Sequence, residues 1–199
     1  MHILHSLLTT TIKRITLMDF QLVFEKVISS FEKEGLQYGL IGGFALGVMG
    51  ILRATMDIDI LLLVDDLDKA DKILTGCMYS CVHRSPHLSQ YTSGLRPLGS
   101  IDILHASKTI SKEMLSRVER FRVFNKYMIP VLSPEDIIGL KVQAIANDAR
   151  REATDTYDMR LLLEYQLQRK RLIDWELLDE YFSLFNKQAL LATLKKDFS

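Results

Sequence analysis

Two aspartates separated by one residue are the part of the sequence most suited to chemistry. Asp57 and Asp59 lie at the start of an apolar run that extends to Val64. Side chains two residues apart in an extended strand project to the same face. Two carboxylates on one face of an apolar strand cost free energy unless a cationic group shares the site. Alone, a D-x-D pattern is more often a surface turn or a helix cap, so support must come from elsewhere in the chain.

A third aspartate interrupts another apolar stretch. Asp102 lies between Ile101 and Ile103, in a predicted strand over residues 100–105. If the two strands are neighbours, three carboxylates converge, and divalent cations with oxygen ligands are the simplest groups to neutralise them. Such a site suits phosphoryl chemistry, in which paired metal ions bind the attacking and the leaving oxygens. Taken alone, Asp102 is also compatible with a strand-end residue that faces water.

A pair of glycines precedes these aspartates. Gly42 and Gly43 follow a short apolar run, residues 38–41, and precede a predicted buried helix over residues 44–52. Glycines at such a turn let the backbone approach a ligand closely, and the N-terminus of the helix favours a phosphate. Most Gly-Gly pairs only make turns. The order of strand, Gly-Gly turn, helix and strand with paired aspartates nevertheless describes a site for a triphosphate and metal ions.

The elements that must position these residues form an α/β part followed by a helical part. Ser133 is a good N-cap, Pro134 suits the first helical position, and Asp136 takes the third position of a capping box. From there to Phe198 the pattern is almost entirely helical. The sequence therefore predicts three regions: a flexible lead-in over residues 1–18, an α/β domain over 19–132 and a helical region over 133–199.

Within the α/β domain, apolar spacing predicts both helices and strands. Helices are predicted over residues 19–35, 44–52, 66–74 and 110–118. Strands are predicted over residues 38–41, 58–64, 100–105 and 127–132, with short β-like pieces between 77 and 98.

The composition excludes several classes of protein. The 199 residues include 25 basic and 25 acidic ones, so the net charge of zero gives no overall attraction to nucleic acid. A content of 48% hydrophobic and 25% charged residues is that of a globular protein and excludes disorder for most of the chain. No uncharged apolar run approaches the roughly 18 residues of a membrane span. With two cysteines, reduced thiols are expected, and the predicted location is the cytoplasm.

The segment that contains the glycine pair and the paired aspartates resembles a known superfamily. The segment GLIGGFALGVMGILRATMDIDILL (residues 39–62) is similar to the signature of the DNA polymerase β-type nucleotidyltransferases. In that signature, Gly-Gly or Gly-Ser is followed, about a dozen residues later, by D-x-D at the start of an apolar strand; here 13 residues separate Gly43 from Asp57. Arg53 and Thr55, in the order R-x-T-x-D-I-D, are most similar to the minimal bacterial and archaeal members, which include the AbiEii-like abortive-infection toxins.

A second segment carries the same resemblance. SPEDIIGLKVQAIANDARREATDTYDMRLL (residues 133–162) resembles the helical motif of the AbiEii-like group. The matching positions are Lys141, Ala144, Arg150, Asp155 and Asp158. The resemblance spans about residues 38–163. The chain departs from the pattern in having Gly43 where a serine is frequent elsewhere in the superfamily, and Thr154 where an arginine often precedes the aspartate.

The resemblance implies a fold and a reaction. The implied fold is α/β: a small mixed sheet of the polymerase β type with flanking helices, followed by a C-terminal helical bundle. The implied reaction moves a nucleoside monophosphate from a nucleoside triphosphate to an acceptor hydroxyl and releases pyrophosphate. It uses two Mg²⁺ ions, with Mn²⁺ as an alternative.

The resemblance also implies roles for the carboxylates and the glycines. Asp57 and Asp59 would hold the metal ions. Asp102 would complete the metal site and orient or deprotonate the acceptor hydroxyl. Gly42 and Gly43 would bind the β- and γ-phosphates.

Further roles fall on the basic residues and on the helical motif. Lys141 would neutralise phosphate charge. Arg53 would contact the nucleotide or the acceptor, or pair with an aspartate, and the sequence leaves these alternatives open. Asp155 and Asp158 are site candidates for which ion pairing within the helix is an equal alternative.

The sequence is compatible with several partners and functions. The acceptor is an RNA, a protein or a small molecule, and a cognate antitoxin or a homodimer is compatible with the resemblance, whereas a membrane is not expected. The alternative functions are a non-catalytic nucleotide-binding or antitoxin-like module, and a small-molecule nucleotidyltransferase of the aminoglycoside type.

Two other clusters favour ordinary structural roles. Cys77, Cys81, His83 and His87 include zinc-ligand types at an unusual spacing, and a packed strand is the expected interpretation. The basic run of residues 169–171 is compatible with RNA phosphates, although most such runs are simply solvated.

Overall fold

The computed structural model of the protein describes residues 18–198. The predicted lead-in therefore lies outside the described residues, except for Met18, which is buried in the hydrophobic core. The described part is a mixed α/β structure, so the predicted fold class is confirmed. None of its helices is both long enough and apolar enough to cross a lipid bilayer.

One seven-stranded mixed sheet organises the first part of the chain, and its spatial order is β3-β4-β5-β2-β1-β7-β6. The strands are β1 (Tyr38–Ile41), β2 (Asp57–Leu63), β3 (Tyr79–Arg84), β4 (Leu88–Ser93), β5 (Ser100–Ala106), β6 (Glu119–Val123) and β7 (Tyr127–Val131). The central strand β2 runs parallel to β5 and antiparallel to β1.

Helices cover the sheet and then form the second part of the chain. They are α1 (Phe20–Val23), α2 (Ser29–Lys33), α3 (Gly42–Val48), α4 (Leu67–Gly76), α5 (Thr109–Ser116), α6 (Pro134–Asn147), α7 (Glu152–Gln168), α8 (Trp175–Leu184) and α9 (Gln188–Phe198). A π-helical stretch, Phe24–Ile28, joins α1 to α2, so the helix predicted over residues 19–35 is present.

The alternation of side chains in β2 and β5 gives the sheet two different faces. Ile58, Ile60, Ile101 and Ile103 are fully buried on one face. The intervening residues, which include the predicted site aspartates, lie on the opposite face. The apolar pattern that predicted these strands therefore also determines which face carries the carboxylates.

The structure differs from the sequence prediction at the end of α3. The helix was expected to continue to Leu52, but it ends at Val48, and Leu52 is fully exposed. Gly50 has a φ of +89°, and the Ile51 amide donates to the carbonyl of Leu46, which closes the last turn. A glycine in this left-handed conformation is a common way to end a helix. The loop that follows carries Arg53 and Thr55 toward β2.

Strand β6 is not predicted from the sequence. Charged residues alternate with apolar ones along it, and its side chains are exposed or only half-buried. It lies at one edge of the sheet, where polar side chains are common because water covers that side. The hydrophobic signal of this strand is therefore weak.

A buried polar cluster joins the sheet part to the helical part. The Asp136 side chain, in the first turn of α6, has no exposed surface and accepts hydrogen bonds from Arg117 and from the Tyr181 hydroxyl. Ser133 caps the helix as predicted, because its hydroxyl oxygen accepts from the Asp136 amide. Gly139 lies against the Tyr181 ring, where an added Cβ would be 2.5 Å from a ring carbon. The cluster therefore fixes α6 against α8 and against the residue that follows α5.

The Tyr181→Phe substitution tests this cluster. It leaves Asp136 without one hydrogen bond in a site from which water is excluded, so we expect the free energy of unfolding to fall by about 1–3 kcal/mol. Urea denaturation measures the change. Tyr157→Phe is the matched control, because the Tyr157 side chain is exposed and its loss of a hydroxyl should change stability by less than about 0.5 kcal/mol. Equal stability of the two variants would contradict the assignment.

Candidate active site

The parallel pairing of β2 and β5 brings the three predicted aspartates together. Asp59 lies directly opposite Asp102 in the register, and Asp57 is two residues earlier on the same face of β2. All three residues are half-buried. The site thus contains three carboxylates on one face of two adjacent strands.

Asp59, the central carboxylate, is the least compensated of the three. Its pKa is raised from 3.8 to about 7, first by burial and then by the negative charges of Asp57 and Asp102. The positive charges of Lys141 and Arg151 oppose this shift without cancelling it. Within residues 18–198, no group donates a hydrogen bond to the Asp59 carboxylate, and none forms a salt bridge with it. The ionised form of Asp59 is therefore costly until a cation reaches it.

Neutral donors hold the two outer carboxylates. The Thr55 hydroxyl donates to Oδ1 of Asp57 over 2.8 Å. The Gln90 amide, from β4, donates to Oδ2 of Asp102 over 3.0 Å. Gln90 is not among the residues predicted from the sequence, because a single glutamine among alternating residues gives no recognisable signal. Its position beside Asp102 depends on strand pairing.

The glycine pair lies in contact with Asp59 and with Thr55. Gly42 has a φ of +67°, and a Cβ added there would be 1.9 Å from Oδ2 of Asp59. A Cβ added at Gly43 would be 2.8 Å from the Cβ of Thr55. Both positions require glycine for lack of space, and the absence of a serine at position 43 is explained by the position of Thr55.

A network of ion pairs lies beside the carboxylates. Lys141, on α6, donates to Oδ1 of Asp155 over 3.0 Å and to Oδ2 of Asp158 over 2.7 Å. Arg53 pairs with Asp158 at 3.1 Å, and Arg151 pairs with Asp155 at 2.8 Å. Each of the two aspartates is only 2% exposed. Three cations thus share two buried carboxylates, which leaves one positive charge in excess.

The network shows which partners Arg53, Asp155 and Asp158 have, whose roles the sequence left open. Arg53 pairs with an aspartate, Asp158, from a loop that is distant in the sequence. Asp155 pairs with Arg151, the residue that precedes α7, and also with Lys141. Burial tends to raise the pKa of Asp155, but the bond from Arg151 and the charge of Lys141 hold it below its usual value. Both aspartates therefore contact Lys141.

Arg150, which matches the arginine of the helical motif, lies away from the network, and Arg151 lies in the network instead. The Arg150 side chain is 91% exposed and pairs with Asp148, away from the network. Arg151 is the arginine that faces the site, and its charge acts on Asp59. The four-residue spacing between Arg151 and Asp155 on a helix could have indicated this pair.

The donor set of the site fits a divalent cation. Carboxylate oxygens are the ligands that Mg²⁺ and Mn²⁺ prefer, and the uncompensated Asp59 is a buried anion that a cation would neutralise. Among the residues that the structure describes, however, no group of three or more His, Cys, Asp or Glu side chains is arranged to hold a metal ion. The carboxylates are thus chemically suited to a metal ion without forming a complete coordination sphere.

The Cys77, Cys81 and His83 cluster does not belong to this site. Cys81 and His83 lie on β3, an edge strand whose side chains beyond Tyr79 are exposed. Cys77 precedes that strand. The expectation of a packed strand is therefore wrong, because only the first residue of β3 faces the core.

In the basic run, two of the three residues have partners on the protein surface. Arg169 stacks on the Tyr165 ring, with 4.9 Å between the guanidinium carbon and the ring centroid. Arg171 pairs with Glu119 at 2.6 Å. These contacts fit the structural interpretation of the run, residues 169–171.

The sequence matches a known protein family. Residues 98–198, about half of the chain, match the family described as nucleotidyl transferase AbiEii toxin, type IV toxin–antitoxin system. The matched segment contains Asp102, Lys141, Asp155 and Asp158, whereas the glycine pair and Asp57 and Asp59 precede it. No curated protein matches the sequence.

Solved structures with a similar fold are nucleotidyltransferases or similar to them. ANT(2")-Ia in complex with adenylyl-2"-tobramycin is 12% identical with a TM-score of 0.60, covering 89% of this chain and 98% of that one. Lincosamide antibiotic adenylyltransferase LnuA, lincomycin-bound, is 18% identical with a TM-score of 0.54, covering 73% and 97%. An antigenic nucleotidyltransferase-like protein from Paracoccidioides brasiliensis is 17% identical with a TM-score of 0.55, covering 90% and 94%. At these identities the similarity concerns the fold.

Replacing Asp59 by Asn is expected to stabilise the metal-free protein at neutral and alkaline pH. Because the pKa of Asp59 is higher in the folded state, folding binds a proton between about pH 4 and 7, and the wild type loses stability as the pH rises through this range. At pH 8 the Asn variant should be more stable by about 1–4 kcal/mol, since one unit of pKa corresponds to about 1.4 kcal/mol.

Thermal and urea denaturation in buffer with a chelator, at pH 5 and pH 8, measure this difference. Asp65→Asn, at an exposed carboxylate just after β2, is the control and should change stability by less than about 0.5 kcal/mol. A difference between the wild type and Asp59→Asn that does not grow with pH would contradict the electrostatic explanation.

The Gly42→Ala substitution tests the contact between the turn and Asp59. We expect the free energy of unfolding to fall by about 1–3 kcal/mol, because the added Cβ meets the Asp59 carboxylate and the backbone conformation strains an alanine. Gly47→Ala, in the same helix, is the matched control, since its Cβ would meet no atom within 4 Å. That variant should be unchanged or stabilised by up to about 1 kcal/mol, and a similar loss in both would refute the contact.

Proposed function

The chain belongs to the AbiEii nucleotidyl transferase toxin family and is a nucleotidyltransferase, and on that premise we propose that it uses divalent metal ions to transfer a nucleoside monophosphate to an acceptor hydroxyl. The observation that carries the proposal is the uncompensated Asp59 carboxylate between Asp57 and Asp102. A buried carboxylate that is repelled by two others raises the free energy of the ligand-free protein. Such an arrangement is expected where a cationic ligand completes the site.

The strand register supports extending the site beyond the matched segment. Asp102 lies within the matched residues, and Asp59 is its direct neighbour in the sheet. Gly42 in turn is in contact with Asp59, and Thr55 links Gly43 to Asp57. These contacts support the proposal that the glycine turn and the three carboxylates act on one ligand.

In the proposed mechanism, Asp57, Asp59 and Asp102 would hold the metal ions through their carboxylate oxygens. Bound Mg²⁺, or Mn²⁺ in its place, would neutralise the triphosphate and stabilise the charge that develops on the transferred phosphoryl group. Asp102 orients the acceptor hydroxyl and takes its proton. The acceptor oxygen forms a bond to the α-phosphorus while the bond from the α-phosphorus to the bridging oxygen breaks, and pyrophosphate leaves.

The glycine turn and Lys141 are proposed to bind the triphosphate. Gly42 and Gly43 lack side chains, so their backbone can approach the β- and γ-phosphates closely. The Lys141 ammonium supplies positive charge beside the carboxylates. Asp155 and Asp158 hold that ammonium from two sides, so we assign them as positioning residues for Lys141.

Arg53 is proposed to connect the nucleotide site with the loop before β2. Its pairing with Asp158 fixes the loop that carries Thr55, and its side chain is 36% exposed, so it also remains accessible to a ligand. The nucleoside triphosphate is the substrate in this proposal. The acceptor, the metal ions, and a cognate antitoxin or second copy of the chain as partner remain predictions.

A transfer assay tests the proposal. Each of the four nucleoside triphosphates, labelled at the α-phosphate, is incubated with Mg²⁺ and with tRNA, protein or aminoglycoside as acceptor. The Asp57→Asn and Asp102→Asn variants should lose at least about 100-fold in transfer rate, as expected when a group that stabilises transition-state charge is removed. A chelator should abolish transfer, and added Mn²⁺ should restore it.

The control for this assay is Asp65→Asn, which removes an exposed carboxylate close in sequence to β2 and should transfer at the wild-type rate. Thermal melts verify that all variants are folded. Transfer at the wild-type rate by both Asp57→Asn and Asp102→Asn would disprove the assigned site.

A further inference from the structure

Gln90 is a polar residue in an interior strand, opposite a predicted catalytic carboxylate. Strand β4 pairs antiparallel with β5, and Gln90 is the register partner of Asp102. The two side chains therefore share a face of the sheet, and Nε2 of Gln90 donates to Oδ2 of Asp102 over 3.0 Å. Its neighbours Ser89 and Tyr91 point to the other face and are buried.

The chemistry of this contact suits a residue that orients a ligand group. An amide donor fixes one carboxylate oxygen without adding charge, whereas a lysine or arginine there would neutralise Asp102 and compete with a cation. Among the described residues, the other oxygen, Oδ1, accepts no hydrogen bond. One oxygen of Asp102 is thus restrained and the other is available.

We propose that Gln90 is a positioning residue for nucleotidyl transfer, which restrains Oδ2 of Asp102 so that Oδ1 would be available to a metal ion or to the acceptor hydroxyl. The inference depends on the proposed function. Hydrogen bonds from neighbouring groups commonly fix the orientation of metal-ligating carboxylates in this way.

The same arrangement on the other side of the site supports this role. Thr55, also a neutral donor, restrains Oδ1 of Asp57. The two outer carboxylates are thus each held by one uncharged group, while Asp59 between them has none. Orienting the outer pair leaves the total negative charge intact, which keeps the attraction for a cation.

The Gln90→Met and Gln90→Leu substitutions test the proposal, because both remove the donor and keep an unbranched or apolar side chain of similar size. Titration calorimetry with Mn²⁺ alone, on the full chain, measures the affinity for metal. We expect about 10-fold weaker binding or more, the usual effect of losing such a supporting hydrogen bond. If one variant fails to fold, the other carries the test.

Thr92→Val is the matched control. Thr92 lies on the same strand and the same face as Gln90, two residues away, and pairs with Ser100. Among the described residues, the Thr92 side chain makes no hydrogen bond to a carboxylate of the site, so its variant should bind Mn²⁺ like the wild type. A weaker affinity in Thr92→Val as well would show a general disturbance of β4 and would overturn the specific role of Gln90.

A second readout uses the transfer reaction. The Mn²⁺ concentration for half-maximal transfer should rise about 10-fold in the Gln90 variants, which a purely structural role would not produce in a folded protein. Wild-type affinity and an unchanged Mn²⁺ requirement in the Gln90 variants overturn the proposal while the proposed function stands. A wild type that binds Mn²⁺ no better than Asp59→Asn overturns both.

Discussion

The repulsion among three carboxylates is the constraint around which the rest of the site is arranged. Parallel pairing of β2 and β5 places Asp59 opposite Asp102, and the two-residue period of a strand adds Asp57 to the same face. The sheet cannot relieve this repulsion, because the alternate residues Ile58, Ile60, Ile101 and Ile103 are buried in the core and fix the register. The apolar face of the sheet thus holds the charged face in an unfavourable state that a cation would stabilise.

The basic groups are close enough to influence these carboxylates and are held away from direct contact with them. Lys141 and Arg151 lower the pKa of Asp59 through their charge, yet both make their hydrogen bonds to Asp155 and Asp158. The paired aspartates therefore prevent Lys141 from simply neutralising the three carboxylates. Since α6 carries Lys141, the buried contacts of Asp136 with Arg117 and Tyr181 matter for the site as well as for stability.

Small and neutral groups complete the arrangement. Gly42 and Gly43 leave space that any side chain would fill with contacts to Asp59 or Thr55, and Thr55 and Gln90 each restrain one carboxylate without adding charge. The family match begins at residue 98, so it contains only one of the three aspartates. Sheet pairing is what joins the earlier half of the chain to that matched half in one site.

The sequence alone determined the elements with strong periodicity. The strands around Asp57 and Asp102, the first long helix and the capped start of α6 all follow from apolar spacing and local capping, which act between residues close in the chain. The sequence also identified every aspartate of the site, because a carboxylate in an apolar strand is unusual wherever the strand lies. Elements with weak local signals were predicted less well: the edge strand β6 was not predicted, and α3 was expected to be longer.

Only the tertiary structure decided which of these residues meet. The contacts of Gln90 with Asp102, of Arg53 with Asp158 and of Lys141 with both helical aspartates join residues that are 12 to 105 positions apart. No local pattern encodes such contacts, since they depend on strand order and on how α6 and α7 pack. The physical reason is that charge and hydrogen bonding act through space, whereas sequence periodicity reports only what neighbours along the chain require.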